Sequence, residues 1–414
     1  MKPAGTIPKD FLPASGALKI GGHDVSQIVA QAGDTPLFVY DAAIIRRRVE
    51  QFRAAMPPEM GLHYAVKANP YAPILNHIMS LADGFDVASG GELDMALAAG
   101  MPADRISMAG PGKRDRELTA AIKAGITINL ESEGEAARAL AIATQLGVRP
   151  RLAIRVNPSF EIKGSGMRMG GGAKPFGVDA ERVPELVRTL IAEGADWRGF
   201  HIFAGSQALD STAIIASQRA TLDLVTQLSE AAGTFPPLVN LGGGFGIPYF
   251  PGEQPLNIEE IGIELSSILN NRSQMLVKSH FCIELGRWLV GEAGVYLTRV
   301  VDRKQSHGET FLIVDGGLHH QLAASGNFGT VVRRNYPIAI ANRFDAEPEE
   351  EVTVVGCLCT PLDRLADKVL LPRAEVGDLI AIFMAGAYGL TASPSAFLGH
   401  PLPKEIMVDH GFVA

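Results

Sequence analysis

From about residue 61 to residue 287 the sequence repeats one pattern in kind: a short apolar run ends in glycine, asparagine or a charged residue, and a helical stretch follows. The runs are GLHYAV before Lys67, GFDVA before Ser89, RISMA before Gly110, ITINL before Glu131, RLAIRV before Asn157, GFHIFA before Gly205, LVNL before Gly242 and SHFCIEL before Gly286. Residues 90–100, 134–147 and 212–232 read as helices between them. Strands alternating with helices need crossover connections, and these make a parallel sheet. Eight units predict a (β/α)8 barrel with its active site at the strand C-termini. Periodicity alone leaves an open doubly wound sheet as the alternative, but the polar and glycine residues gathered at the strand ends favour the barrel.

The character changes after Arg287. GVYLTRVV, TFLIVDGG, EVTVVGCLC, DLIAIFMAG and KEIMVD are β-type, with little helical pattern between them. The chain is thus expected to be α/β plus β, with a barrel over residues 41–287 and a mostly antiparallel domain over 288–414. Residues 1–40, short of helix signal, are expected to join the second domain.

Composition narrows the function classes. The 37 Lys+Arg against 45 Asp+Glu give a net charge of −8, so neither nucleic acid nor an acidic membrane is expected as a partner. No run approaches the ~18 uninterrupted apolar residues of a membrane span, and the first twenty residues lack a secretory h-region. Three cysteines, Cys282, Cys357 and Cys359, make no disulfide framework and fit a cytoplasmic location. Cys357 and Cys359 have no second Cys/His pair at zinc-ligand spacing, so no metal site is expected. GGGAK (170–174) lacks the Gly-Lys-Ser/Thr of a nucleotide-binding P-loop.

Several residues at the strand ends could carry chemistry. Lys67 ends the first strand, where partial desolvation would make it a usable amine nucleophile; a solvated rim lysine is the plainer reading. Residues 240–246, NLGGGFG, put four glycines after the seventh strand, where barrels often hold phosphate on exposed backbone N–H groups. Glu284 and Arg287, in ELGR, read either as a structural ion pair or as a carboxylate and a phosphate ligand. Arg155 and His201 read equally well as satisfied core polar groups.

Taken in order, the motifs HYAVKANP, DVASGGEL, NLGGGFG, ELGR, CTPLD and GAYG resemble those of the fold-type III pyridoxal-phosphate decarboxylases, the diaminopimelate and ornithine/arginine decarboxylase family. The resemblance runs from about Pro36 to near the C-terminus. It implies an alanine-racemase-like fold, a (β/α)8 barrel with a C-terminal antiparallel β-barrel domain, and pyridoxal 5′-phosphate as cofactor. Lys67 would be the Schiff-base lysine and Glu284 the partner of the pyridine nitrogen. Ser206, Gly243, Gly244, Gly286, Arg287 and Tyr388 would surround the phosphate, with Asp86 and Arg155 near the ring and Phe203 stacked on it. Cys359 and Asp363 would reach the partner's site in a head-to-tail homodimer, with Cys359 returning a proton to Cα.

The departures bear on the substrate. Diaminopimelate decarboxylases usually carry C-E-S/T, whereas Thr360 follows Cys359 here, and a threonine cannot neutralise a distal ammonium. The family's second histidine of H-x-H-x-G-S is Phe203. The arginine expected after the D-A-G motif is Ala323, with Arg333 or Arg334 as possible substitutes. CTPLD with the GMRMGGG insertion resembles the branch that decarboxylates amino acids tethered to an acyl carrier protein or acts beside polysaccharide-export clusters. The alternatives are a meso-diaminopimelate decarboxylase of lysine synthesis, an alanine-type racemase, and a homologue that has lost catalysis. KANPYAP lacks the tyrosine-glycine-histidine of the racemases, and Lys67, Glu284, Arg287 and Tyr388 argue against lost catalysis.

Overall fold

The protein is described by a computed structural model, which places residues 1–11, 16–160, 164, 166–168, 170–326, 334–409 and 412–413. Arg333, one of the expected substrate residues, lies outside them. The chain divides into two compact units: residues 49–247 with 255–286, and residues 1–48 with 248–254 and 287–414.

The first unit is a closed parallel barrel. Its strands are β1 (Met60–Ala65), β2 (Gly84–Val87), β3 (Ile106–Met108), β4 (Thr127–Leu130), β5 (Arg151–Asn157), β6 (Asp196–His201), β7 (Leu238–Gly243) and β8 (His280–Leu285). Each pairs in parallel with the next, and β8 closes onto β1 with Phe281 opposite Met60 and Leu285 opposite Tyr64. All eight expected strands are present. Closure, not an open sheet, follows from the β8–β1 register.

Helix starts within the barrel unit follow from local sequence. Ser89 caps the helix after β2, its Oγ accepting from the Glu92 N–H, while Glu92 Oε2 reaches back to the Ala88 N–H just before the cap. Ser132 and Glu135 repeat the device after β4. These side-chain caps tie the helix starts to the ends of β2 and β4.

The second unit is a nine-stranded, mostly antiparallel sheet. Its long strand Gly294–Ser306 pairs antiparallel with Leu37–Asp41, Glu309–Val314 and Leu379–Ile382. Leu37–Asp41 pairs in parallel with Lys404–Asp409, so an early segment sits inside the C-terminal sheet. All five residues of Leu37–Asp41 are buried, which no surface β-edge would give. Among the described residues no helix is long and apolar enough to cross a membrane.

Candidate active site

The barrel interior is polar at the ends of its strands. Lys67 lies in the short 3-10 turn Val66–Ala68 that follows β1. The turn is fixed from both sides: Tyr64 donates its hydroxyl to the Asn69 carbonyl at 2.8 Å, and Asn69 Oδ1 accepts from the Tyr71 N–H at 3.0 Å. Lys67 Nζ stands 3.7 Å from Glu284 Oε1 and 5.3 Å from the centre of the Phe203 ring. With its side chain 44% exposed it faces solvent on one side and a buried carboxylate on the other. This is not a plain rim lysine.

Glu284 is near the end of β8 and only 6% exposed. His201, at the end of β6 and 3% exposed, brings Nε2 within 3.0 Å of Glu284 Oε2. Burial alone would raise the Glu284 carboxyl. The His201 hydrogen bond and the Lys67 and Arg155 charges win, holding it well below the ordinary carboxylate range. The site therefore keeps a stable carboxylate beside an amine.

Asp86 and Arg155 are engaged with other partners. Asp86 lies 3.3 Å from His63 Nδ1 and accepts from the Ser107 hydroxyl, while Asn129 Nδ2 donates to Ser107 Oγ at 3.1 Å. Arg155 pairs with Glu131 at 2.9 Å, and its guanidinium lies 5.0 Å from the centre of the Phe176 ring. Glu131 also accepts from the N–H groups of Gly110 and Gly177, at 2.6 and 2.8 Å. Sequence reading passed over His63, Glu131 and the buried pair Lys113–Glu135, at 2.7 Å. His63 and Glu131 sit in or just beyond an apolar strand, whereas Lys113 lies in the loop after β3 and Glu135 in the first turn of the helix after β4, so no local pattern pairs them.

The glycines after β7 have two distinct reasons. A Cβ on Gly243 would sit 1.9 Å from the Glu284 carbonyl oxygen, so this position is glycine because β7 and β8 approach closely. Gly244 has φ +81°, open backbone that a side chain would strain. Gly286 lets β8 turn beside the Lys67 loop, since its Cβ would meet Ala68 Cβ at 2.7 Å. Ser206 lies just beyond β6, in the two-residue strand Gly205–Ser206.

The second unit holds its own expected residues. Arg287 Nη1 donates to the Tyr249 hydroxyl at 2.7 Å, and the guanidinium lies 4.6 Å from the centre of the Tyr388 ring. Arg287 Nε is buried with no hydrogen-bond partner among the described residues, a donor suited to an anion. Cys359 is exposed on the bend after strand Glu350–Val355, and Thr360 beside it is half-buried. Asp363 is buried, with its two oxygens accepting from the Leu318 and Leu358 N–H groups at 2.6 and 2.8 Å. Through these two bonds Asp363 ties its own loop to the one that carries Leu318.

An amine held against an ionised, histidine-buttressed carboxylate, with an aromatic face and open glycine backbone close by in the chain, is the donor set that pyridoxal phosphate requires. The profile of the pyridoxal-dependent decarboxylase pyridoxal-binding domain matches residues 42–291. The chain belongs to the pyridoxal-dependent decarboxylases. It is 38% identical over 386 residues to the L-glutamyl-(BtrI acyl-carrier protein) decarboxylase of Niallia circulans, covering 91% of this chain and 90% of that protein. It is 33% identical over 407 residues to the diaminopimelate decarboxylase of Methanothermobacter thermautotrophicus, covering 96% and 92%. The crystal structure of diaminopimelate decarboxylase from M. jannaschii in co-complex with L-lysine superposes with a TM-score of 0.88 at 26% identity, over 99% of this chain and 94% of that one. The protein is a pyridoxal-phosphate-dependent amino-acid decarboxylase.

Proposed function

We propose that this decarboxylase acts on an amino acid whose distal carboxyl is masked as a thioester on an acyl carrier protein. The observation that carries the reading is Thr360, which stands beside Cys359 where a charge-reading glutamate would otherwise face a distal ammonium. A buried ammonium without a counter-charge is costly, whereas a masked end needs no partner. The relative that is 38% identical is named for a carrier-bound glutamyl substrate, in line with this reading.

In the proposed site Lys67 would hold the cofactor through its aldehyde, and Phe203 would offer its face to the ring. Ser206, Gly243, Gly244 and Gly286 would bind the phosphate from the barrel unit; the resemblance assigns Arg287, with its unpartnered Nε–H, and Tyr388 to the same group. Pyridoxal phosphate supplies an electron sink for the pair left at Cα when the carboxylate departs. Glu284, kept ionised with the help of His201, holds a proton at the pyridine nitrogen. Arg155 and Asp86 act from behind: Arg155 adds positive charge towards Glu284, and Asp86 orients His63.

We place Cys359 and Thr360 at the site of a second copy in a homodimer, with the Cys359 thiol as proton donor to Cα. Exposure of Cys359 supports this, as does the exposed Leu362 in the same loop, 55% accessible. Arg333 or Arg334 stands in for the arginine that the family carries after its D-A-G motif, as a substrate contact.

The test compares carbon dioxide release from free meso-diaminopimelate with that from glutamyl, lysyl and other aminoacyl groups loaded on a carrier protein. A kcat/KM higher on a tethered substrate is expected. Efficient turnover of free meso-diaminopimelate instead would make this a lysine-pathway enzyme, as the names of several relatives suggest. Sedimentation of a fully active monomer would refute the shared site.

A further inference from the structure

The antiparallel unit contains a cluster of side chains that the decarboxylation chemistry does not use. We propose that His319, Cys357 and His400 form a binding site for one divalent transition metal ion of the zinc class. One donor atom from each of the three lies within 4.8 Å of the other two. Cys357 Sγ is 3.8 and 3.9 Å from the two nitrogens of His400. Around a tetrahedral ion with bonds of about 2.0–2.3 Å, neighbouring donors are roughly 3.3–3.8 Å apart. Closing the cluster on such an ion is a matter of side-chain adjustment, not of refolding.

The fold builds this meeting deliberately. Strands Glu309–Val314 and Glu350–Val355 run in parallel, with Ile313 opposite Val355, so their C-terminal ends lie side by side. The turn after the first carries His319, and the bend after the second carries Cys357. Asp363 joins the two loops, accepting from Leu318, just before His319, and from Leu358, just after Cys357. Gly317 and Gly356 make room for it, since a Cβ on either would fall within 2.5 Å of its carboxylate. The third segment is held by His320, whose Nε2–H donates to the Pro401 carbonyl at 3.1 Å while its Nδ1 accepts from the Tyr296 hydroxyl at 3.0 Å. His400 is thereby fixed beside the other two.

His319 gives the observation that points to a ligand. It is 0% exposed, and neither ring nitrogen has a hydrogen-bond partner among the described residues. A buried imidazole without partners is costly unless something binds it. Two imidazoles and a thiolate suit zinc and its neighbours better than magnesium or calcium. Three protein donors leave a fourth position for water or an exogenous ligand. Sequence spacing could not show this site, since its donors come from three separate segments and the nearby Cys359 takes no part.

The experiment uses the full chain loaded with pyridoxal phosphate, dialysed against a chelator and then titrated with Zn²⁺ alone or Co²⁺ alone. Elemental analysis after equilibrium dialysis is expected to give one zinc per chain. Co²⁺ should give ligand-field bands at wavelengths longer than the cofactor's absorption. Cys357→Ser and His400→Ala should each weaken binding at least about tenfold, a loss that even an outer-shell partner can cause. Circular dichroism confirms that each variant is folded; if one is not, the other carries the test. Metal well below one per chain would overturn the proposal, and so would metal whose affinity is unchanged in the folded variants.

Discussion

Glu284 in the barrel and Asp363 in the antiparallel unit are buried carboxylates held in opposite ways. In the barrel, buried acids face basic side chains: Glu135 faces Lys113, Glu131 faces Arg155, and Glu284 faces the buried His201 and the half-exposed Lys67. In the antiparallel unit, the buried Asp363 carboxylate is satisfied by backbone N–H groups of two loops. Paired side chains can hold a reactive charge ready, because one partner can be exchanged for a ligand. A carboxylate spent on backbone amides cannot be exchanged without releasing the loops. The barrel is built to handle charge, and the other unit's carboxylate is built to position what its loops carry.

The largest expected effect is on the purely structural pair. Glu135→Gln leaves the Lys113 ammonium buried without its counter-ion and should cost about 3–5 kcal/mol, read by denaturant unfolding of the full chain. If that loss is small, the barrel's pairs are less tightly coupled than the comparison requires. Glu284→Gln keeps the shape but removes the charge, and kcat should fall roughly 10²–10³-fold with the fold intact. An unchanged kcat would take Glu284 out of the chemistry.

Much of the barrel was legible because its strands and their polar ends are local in sequence. β1 to β8 each carry their own pattern, and Lys67, Ser206 and Glu284 lie within a few residues of the strand ends that place them. The support around them was not legible. His201 became the partner of Glu284 only because β6 and β8 flank β7 in the closed barrel, a distance of 83 residues along the chain. Asp363 was singled out from its motif alone, but its bond to Leu318, 45 residues away, is one that no local pattern could show. Residues 1–40 were expected to join the second domain, but the partners of Leu37–Asp41 could not be read, because both lie more than 250 residues later in the chain.

Asp363→Asn sharpens the other side of the comparison. The amide can accept from one of the two backbone donors and must leave the other unpaired, a cost of about 1–3 kcal/mol in stability. A neutral result would mean that the loops hold without the carboxylate.

The smallest effect is a slope with pH. Burial opposes the His63 imidazolium, but the neighbouring Cys282 and Asp86 raise its pKa well above the ordinary 6.5. A group raised on folding contributes stability in full below its unfolded value and loses it as pH rises through the folded value. The melting temperature of the wild type should therefore fall as pH climbs above 6.5, with a contribution of at most ~1.4 kcal/mol per pH unit. His63→Asn should flatten that slope; an identical slope would remove His63 as its source.

The central claim is that Lys67, not the buried Lys113, is the amine that holds the cofactor. Borohydride reduction of the pyridoxal-phosphate-loaded protein, followed by peptide mapping, tests it directly. A single pyridoxyl label on Lys67 is the expected result, whereas a label on Lys113 or on any other lysine, with Lys67 unmodified, would contradict the account.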